Sequence, residues 1–276
     1  MLWRDWPRYS ALARARGLAV STTSNGTTLQ QPHVRADVLD HLDELTLSVD
    51  AIGATHDRLR GWPGGYRRTL DAIERLARER AATGSALRLR ANIVLMRSTI
   101  DAFAALTAQL AAAGIDEISF NLLGGRDRPE FHAIEAVRSS AFERFLQRLP
   151  EVRAELARSG VTLIGSTDYE VRLRSAVRGQ PWPVADCAPG TQFLFVDELG
   201  RVAPCAFTGA DYGIPIEQID ALAALPAQFR AARSRQRAVV CSDCPSTQVC
   251  GKFARAAHVV DLVPDQVATI AAGDCA

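Results

Sequence analysis

Leu87-Arg88-Leu89-Arg90-Ala91-Asn92-Ile93-Val94-Leu95-Met96 is the stretch on which the fold class turns. Its run of apolar and branched residues reads as a strand. A long helix, Tyr66 to Ala82, precedes it, and ahead of that helix Glu44-Leu45-Thr46-Leu47-Ser48-Val49-Asp50 reads as another strand. A connection of that length pairs its two strands in parallel through a right-handed crossover. The pattern extends in both directions. Upstream lie a helix from Trp3 to Arg16 closed by Gly17, the β-prone run Leu18 to Thr23, the turn Ser24-Asn25-Gly26 and a brief helix from His33 to His41. Downstream come a helix Ile100 to Ala113 capped by Gly114, a strand Glu117 to Leu123, a helix Phe142 to Ser159 and a short strand Val161 to Ile164. The expectation is an α/β architecture, a barrel or an open parallel sheet over residues 1–165, with a smaller unit over 166–276.

In parallel sheets functional groups gather at the carboxyl ends of the strands. Small polar residues stand there: Ser24 and Asn25 after the first strand, Ser48 and Asp50 after the second, Asn92 in the third and Asn121 in the fourth. Each alone reads as a cap or turn residue. Their recurrence at four successive strands points to a shared site. Asp168, Tyr169 and Glu170, just downstream, are further polar candidates without an assigned role.

The bulk properties describe an ordinary globule. The 276 residues are 47% apolar and 23% charged, and 32 basic against 31 acidic residues leave a net charge of +1. No field results that would draw nucleic acid or anionic lipid, and no run of 18 apolar residues is long enough to span a membrane. Arginines such as Arg78, Arg80, Arg233 and Arg235 alternate with alanines and acids, as on solvated helix faces.

The six cysteines are distributed unevenly. All lie in the last third: Cys187, Cys205, then Cys241, Cys244 and Cys250 at C-x2-C-x5-C spacing, and Cys275. Met1-Leu2-Trp3-Arg4-Asp5-Trp6-Pro7-Arg8 has no export signature, so the expected location is the cytoplasm. In a reducing compartment, clustered thiols hold metals more often than they pair. Between Cys187 and Cys205, Gln192 to Pro204 reads as a strand, a turn at Gly200 and a return strand. A hairpin therefore delivers two thiolates and a loop three more, to zinc or to an iron–sulfur cluster.

Three segments carry a family likeness. Ser24-Asn25-Gly26-Thr27, Leu47-Ser48-Val49-Asp50-Ala51 and His56-Asp57-Arg58-Leu59-Arg60-Gly61 resemble the "T-N-G-T", "S-L-D-G" and "H-D-x-x-R-G" segments of radical S-adenosylmethionine (radical SAM) enzymes, in that order. Cys187, Gly200, Cys205 and the C-x2-C-x5-C run are similar to the SPASM or twitch extension that binds auxiliary [4Fe-4S] clusters in that family. The likeness implies a partial (β/α) TIM-type barrel of parallel strands with a small cysteine-rich C-terminal SPASM/twitch domain. By the same likeness, Ser48 and Arg60 contact the ribose and methionine carboxylate of S-adenosylmethionine, and Ser24, Asn25, Asp50, Asn92 and Leu122 line that pocket. Cys187, Cys205, Cys241, Cys244, Cys250 and Cys275 are the implied metal ligands. The implied activity is 5′-deoxyadenosyl radical chemistry on a peptide or protein substrate, with electrons from a reductant such as flavodoxin or ferredoxin. The alternative is a non-catalytic peptide- or partner-binding module with a structural iron–sulfur or zinc site.

The sequence departs from the family's pattern in two places. No cysteine precedes Cys187, so the C-x3-C-x2-C loop of the catalytic cluster is missing. The competing explanations are a start placed too late or a fragment, a second polypeptide, or a decayed relative, and the first is favoured. A sheet shortened in this way would leave Leu18 to Thr23 as an open edge with apolar faces. The second departure lies in the extension, where Phe253 and Ala254 stand in place of a further cysteine, so six cysteines fit one complete cluster better than two. Ala206 after Cys205 replaces the aspartate of the sulfatase-maturing branch and argues against that branch's chemistry.

Overall fold

The computed structural model describes residues 4–124, 129–180, 189–191, 193–206 and 208–236. The chain begins with α1 (Trp6–Ala15), β1 (Ser21–Ser24), α2 (Pro32–His41) and β2 (Glu44–Ser48). It continues with α3 (Ala54–Arg60), α4 (Gly65–Thr83), β3 (Arg88–Leu95), α5 (Phe103–Ala113) and β4 (Glu117–Leu122). Then follow α6 (Pro129–Glu135), α7 (Ser139–Arg158), β5 (Thr162–Leu163) and α8 (Thr167–Val177). All five strands are parallel and lie in the order β1-β2-β3-β4-β5, as the crossover units require.

Parallel sheets are usually apolar on both faces because helices cover both. Here the strands alternate. Leu45, Leu47, Leu89, Ala91, Ile93, Leu95, Ile118, Phe120 and Leu163 are buried and in register with one another across the sheet. On them pack the stripes Tyr66, Ile73 and Leu76 of α4, Phe103, Leu106 and Leu110 of α5, and Phe142, Phe145, Leu149, Val152 and Leu156 of α7. Spacings of three and four along each helix turn these side chains to one side. An aromatic chain crosses this layer, from Phe103 to Phe120 (5.7 Å between centroids) and from Phe120 to Phe145 (5.5 Å) and Tyr169 (5.8 Å). Gly114 ends α5 at φ 102°, and a Cβ there would lie 2.6 Å from Ala77 on α4, so only glycine allows these helices to approach so closely.

The other face is polar. Its rows read Thr23, Thr46, Arg90 and Glu117, then Ser48, Asn92 and Ser119, then Val94 and Asn121. Across its amino-terminal half, Arg90 Nη2 bridges Glu44 (2.7 Å) and Glu117 (2.5 Å), and Arg88 approaches both acids. Burial nonetheless holds the Glu44 carboxyl above its usual value, against the pull of Arg90 and Arg88.

The edge strand differs from its expectation. β1 is Ser21-Thr22-Thr23-Ser24, set three residues later than the apolar run that suggested it, and it presents hydroxyls rather than apolar faces. Leu18 remains outside the strand and exposed. Arg35 of α2, with 5% of its surface exposed, holds the chain just after β1. Its guanidinium donates to the carbonyls of Leu29 and Gln30 and to both oxygens of Glu79 on α4.

A second small core follows. β6 (Phe195–Val196), β7 (Arg201–Ala203) and β8 (Ile214–Pro215) form an antiparallel sheet, with α9 (Gly209–Tyr212) and α10 (Leu225–Gln236) beside it. Val202, Tyr212, Leu225 and Phe229 are its buried residues. The expected hairpin with Gly200 at its turn is present, and β8 is an addition to it.

The two faces of the large sheet predict unequal responses. Phe120→Ala should cost about 4 kcal/mol of unfolding free energy, whereas Thr23→Ala on the exposed edge should stay within about 0.5 kcal/mol. Urea unfolding of both variants checks this, and equal losses would contradict the one-sided core.

Candidate functional site

The site lies where β2 and β3 end, and α3 closes it. Beyond Ser48 the chain stays pinned to β3: Val49 N donates to Asn92 O (3.1 Å), and Asp50 Oδ1 accepts the N–H of Val94 (3.0 Å). The other carboxylate oxygen of Asp50 pairs with Arg60 Nη2 at 2.5 Å. Asp50 is 5% exposed, while the Arg60 side chain keeps 31% of its surface open. His56, only 1% exposed, accepts the N–H of Asp50 on Nδ1 (3.3 Å) and lies against the Tyr66 ring. An accepting Nδ1 fixes the neutral imidazole with its proton on Nε2. Burial pushes the His56 pKa below its ordinary 6.5, with Arg60 acting in the same direction and Asp50 and Asp57 opposing.

Asp57 anchors the other end of α3. Its carboxylate accepts the N–H of Gly64 (2.7 Å) and of Tyr66 (2.8 Å), fastening the Gly61-Trp62-Pro63-Gly64 turn to the start of α4. Those bonds, that of Tyr66 foremost, hold the Asp57 carboxyl below its ordinary value. The guanidinium of Arg68 lies over the Trp62 ring, 5.9 Å from its centroid.

Ser48 and Asn92 are in register on the polar face, and Asn92 Oδ1 accepts from the hydroxyl of Ser119 (2.9 Å). Asn121 stands one step further along on β4, where the Tyr169 hydroxyl of α8 reaches its Oδ1 (3.4 Å) and donates to Phe120 O (2.8 Å). Tyr169 is fully buried, which raises its phenol pKa. Ser24 and Asn25 fold their own turn. Ser24 Oγ accepts from Gly26 N (3.1 Å), and Asn25 Oδ1 accepts from the N–H and hydroxyl of Thr27. Gly26 adopts φ 82°, and a Cβ there would press on Thr69 at 3.4 Å. Leu122 is in register with Leu95 on the apolar face, opposite to Ser48 and Asn92.

The structure thus brings together Ser48, Asp50, Arg60 and Asn92, with Asn121 at the next strand. Ser24 and Asn25 belong to the adjoining loop, and Leu122 to the buried layer. Asp50 is the largest revision: its carboxylate and its N–H are committed to Val94, Arg60 and His56. Sequence reading passed over His56, Ser119 and Arg35. Only the alternation within β3 could have exposed Ser119, through its register with Asn92.

A half-open guanidinium can clamp a carboxylate, and hydroxyl and amide groups one row away can bond sugar oxygens. That donor set fits a ligand carrying an α-amino acid and a ribose, such as S-adenosylmethionine. Among the cysteines, Cys205 is described; it follows β7, is half-buried, and its Sγ lies 3.2 Å from the hydroxyl of Thr208. Cys187, Cys241, Cys244, Cys250 and Cys275 lie outside the described residues. Among the described residues no group of three His, Cys, Asp or Glu side chains could hold a metal ion, and no helix is long and apolar enough to cross a membrane.

The fold is shared with proteins whose structures carry bound S-adenosylmethionine. SuiB of Streptococcus suis matches over 84% of this chain and 55% of its own, with a TM-score of 0.62 at 11% identity. Its complex with the precursor peptide SuiA superposes with a TM-score of 0.59 at 12% identity, over 84% of this chain and 54% of that one. The anSMEcpe enzyme with bound AdoMet matches 87% of this chain and 66% of its own, with a TM-score of 0.53 at 14% identity. In sequence, the chain is 24% identical to the AdoMet-dependent heme synthase of Methanosarcina barkeri (strain Fusaro / DSM 804) over 205 residues, 69% of this chain and 56% of the synthase. The chain therefore spans little more than half the length of that relative and of SuiB. No family model matches it.

The depressed His56 pKa has a defined sign. Above 6.5 the imidazole is neutral in both the folded and the unfolded chain, and it adds no pH dependence. Below 6.5 the unfolded chain takes up the proton first, so stability falls until the lower folded-state value is passed. His56→Gln keeps an acceptor for Asp50 N–H and should flatten this slope in urea unfolding measured between about pH 7 and about pH 5. Parallel slopes for wild type and variant would remove His56 as its source.

Proposed function

We propose that this chain belongs to a radical SAM protein that binds S-adenosylmethionine at the carboxyl ends of β2, β3 and β4 and acts on a peptide or protein substrate. The observation that carries the reading is the Arg60 guanidinium, held half-open beside Ser48 and Asn92 at the rim of a parallel sheet. Arg60 would take the methionine carboxylate and Ser48 a ribose hydroxyl, while Asn92, oriented by Ser119, would hold the polar wall between them. The cysteines of the C-terminal region, Cys187, Cys205, Cys241, Cys244, Cys250 and Cys275, would hold an auxiliary [4Fe-4S] cluster in a SPASM/twitch-like unit over 166–276, beside a partial barrel over 1–165. When bound, S-adenosylmethionine and a low-potential cluster supply a hydrogen-abstracting radical. This chain's residues bind, orient and dry the reacting centre. A peptide substrate is supported by the fold shared with SuiB, which has been captured with its precursor peptide.

A second reading, a non-catalytic module that binds a peptide or partner around a structural iron–sulfur or zinc site, is favoured by the lack of any cysteine before Cys187 in these 276 residues. Anaerobic purification with iron, sulfide and zinc analysis, together with calorimetric titration of S-adenosylmethionine, tests both. The expected outcome is iron and sulfide in cluster ratio and binding that Arg60→Ala weakens by about 10-fold or more. Colourless protein with stoichiometric zinc, or binding indifferent to Arg60, overturns the enzyme reading.

A further inference from the structure

The Asp50 carboxylate would repel a ligand carboxylate on its own, yet it sits against the one arginine proposed to grip such a ligand. Two roles are physically open to it. It could compete for Arg60 and be displaced, or it could aim Arg60 and stay. The bonding decides between them. One carboxylate oxygen is taken by Val94 N–H at 3.0 Å and the other by Arg60 at 2.5 Å. Its N–H is taken by His56 at 3.3 Å, and the preceding Val49 N–H is bound to Asn92 O at 3.1 Å. A group anchored at four points across two strands and a helix has no alternative pose to swing into. Arg60, by contrast, has one nitrogen engaged and a third of its side chain open, with N–H groups of its planar fork to spare.

We infer that Asp50, itself set by His56, is a positioning residue that holds the Arg60 guanidinium at the strand ends in the pose that receives a ligand carboxylate. The inference rests on the reading of the site as one for S-adenosylmethionine, and it removes Asp50 from the groups that touch the ligand. A free arginine must surrender the rotamers of a long side chain when it binds, and one already tethered surrenders fewer. His56 contributes through the backbone. By accepting the Asp50 N–H it fixes the turn from β2 into α3, and so the separation between residues 50 and 60.

Calorimetry on the full chain with two probes separates these possibilities: S-adenosylmethionine, and 5′-methylthioadenosine, which shares the nucleoside but lacks the carboxylate. Asp50→Asn can keep its bond to Val94 N–H while losing the charge that holds Arg60. It should weaken S-adenosylmethionine binding about 10-fold and leave 5′-methylthioadenosine unchanged. His56→Ala should give the same selective loss, and it stands in if Asp50→Asn fails to fold. Added to Arg60→Ala, Asp50→Asn should cost nothing more. Unchanged or tighter S-adenosylmethionine binding in Asp50→Asn overturns the inference in favour of competition, and equal weakening of both probes overturns it in favour of a general structural role. If Arg60→Ala itself leaves S-adenosylmethionine binding intact, the underlying site reading fails, and the inference fails with it.

Discussion

The one-sided burial of a parallel sheet is the constraint from which the rest of this structure follows. Helices α2, α4, α5 and α7 bury the Leu45, Leu89, Ile93 and Phe120 side of the strands and contribute no cover to the other. With a side-chain period of two, every second residue is then delivered to an uncovered face. Apolar side chains there would be an aggregation hazard, and the sequence supplies hydroxyls, amides and ion pairs instead. The polar face is therefore the counterpart of the core, and it can carry a site because packing makes no claim on it.

Within that face the charge is graded. Glu44, Arg88, Arg90 and Glu117 neutralise one another at the amino-terminal half, so the strands begin on a self-satisfied network. Toward the carboxyl ends the rows turn to neutral donors and acceptors. The one half-open cation described there, Arg60, comes from a helix and not from a strand. The loops that frame the rim are fixed by polar residues drawn in from behind, Arg35 at the turn after β1 and Asp57 at the turn into α4. Such residues determine where the site residues stand without facing the site.

The parallel topology and most elements were legible in the sequence because long helices with regular apolar spacing, closed by Gly17 and Gly114, leave few alternatives. Less of the site was legible. The residues at strand ends could be named, but Leu122 and Asn121 are neighbours that point to opposite faces, and only the register separates them. The Asp50–Arg60 pair spans a turn and a helix, and nothing in its spacing marks those two side chains as partners. β1 was placed too early because Leu18, Ala19 and Val20 carry the stronger strand propensity, whereas the ladder with β2 begins at Ser21. Propensity lost to pairing there. α8 escaped notice because its inward residues, Tyr169 and Leu173, are too few to make a stripe.

Tyr169 carries a mechanical implication. Its hydroxyl grips the tip of β4 at Phe120 and Asn121, and its ring lies in the aromatic layer. Everything C-terminal to α8, including all six sulfurs, is tethered to the sheet by a helix whose anchor sits one residue from the open rim. A pull on the downstream chain is thereby transmitted to the β4 terminus first, through a single phenol, before it reaches any other strand.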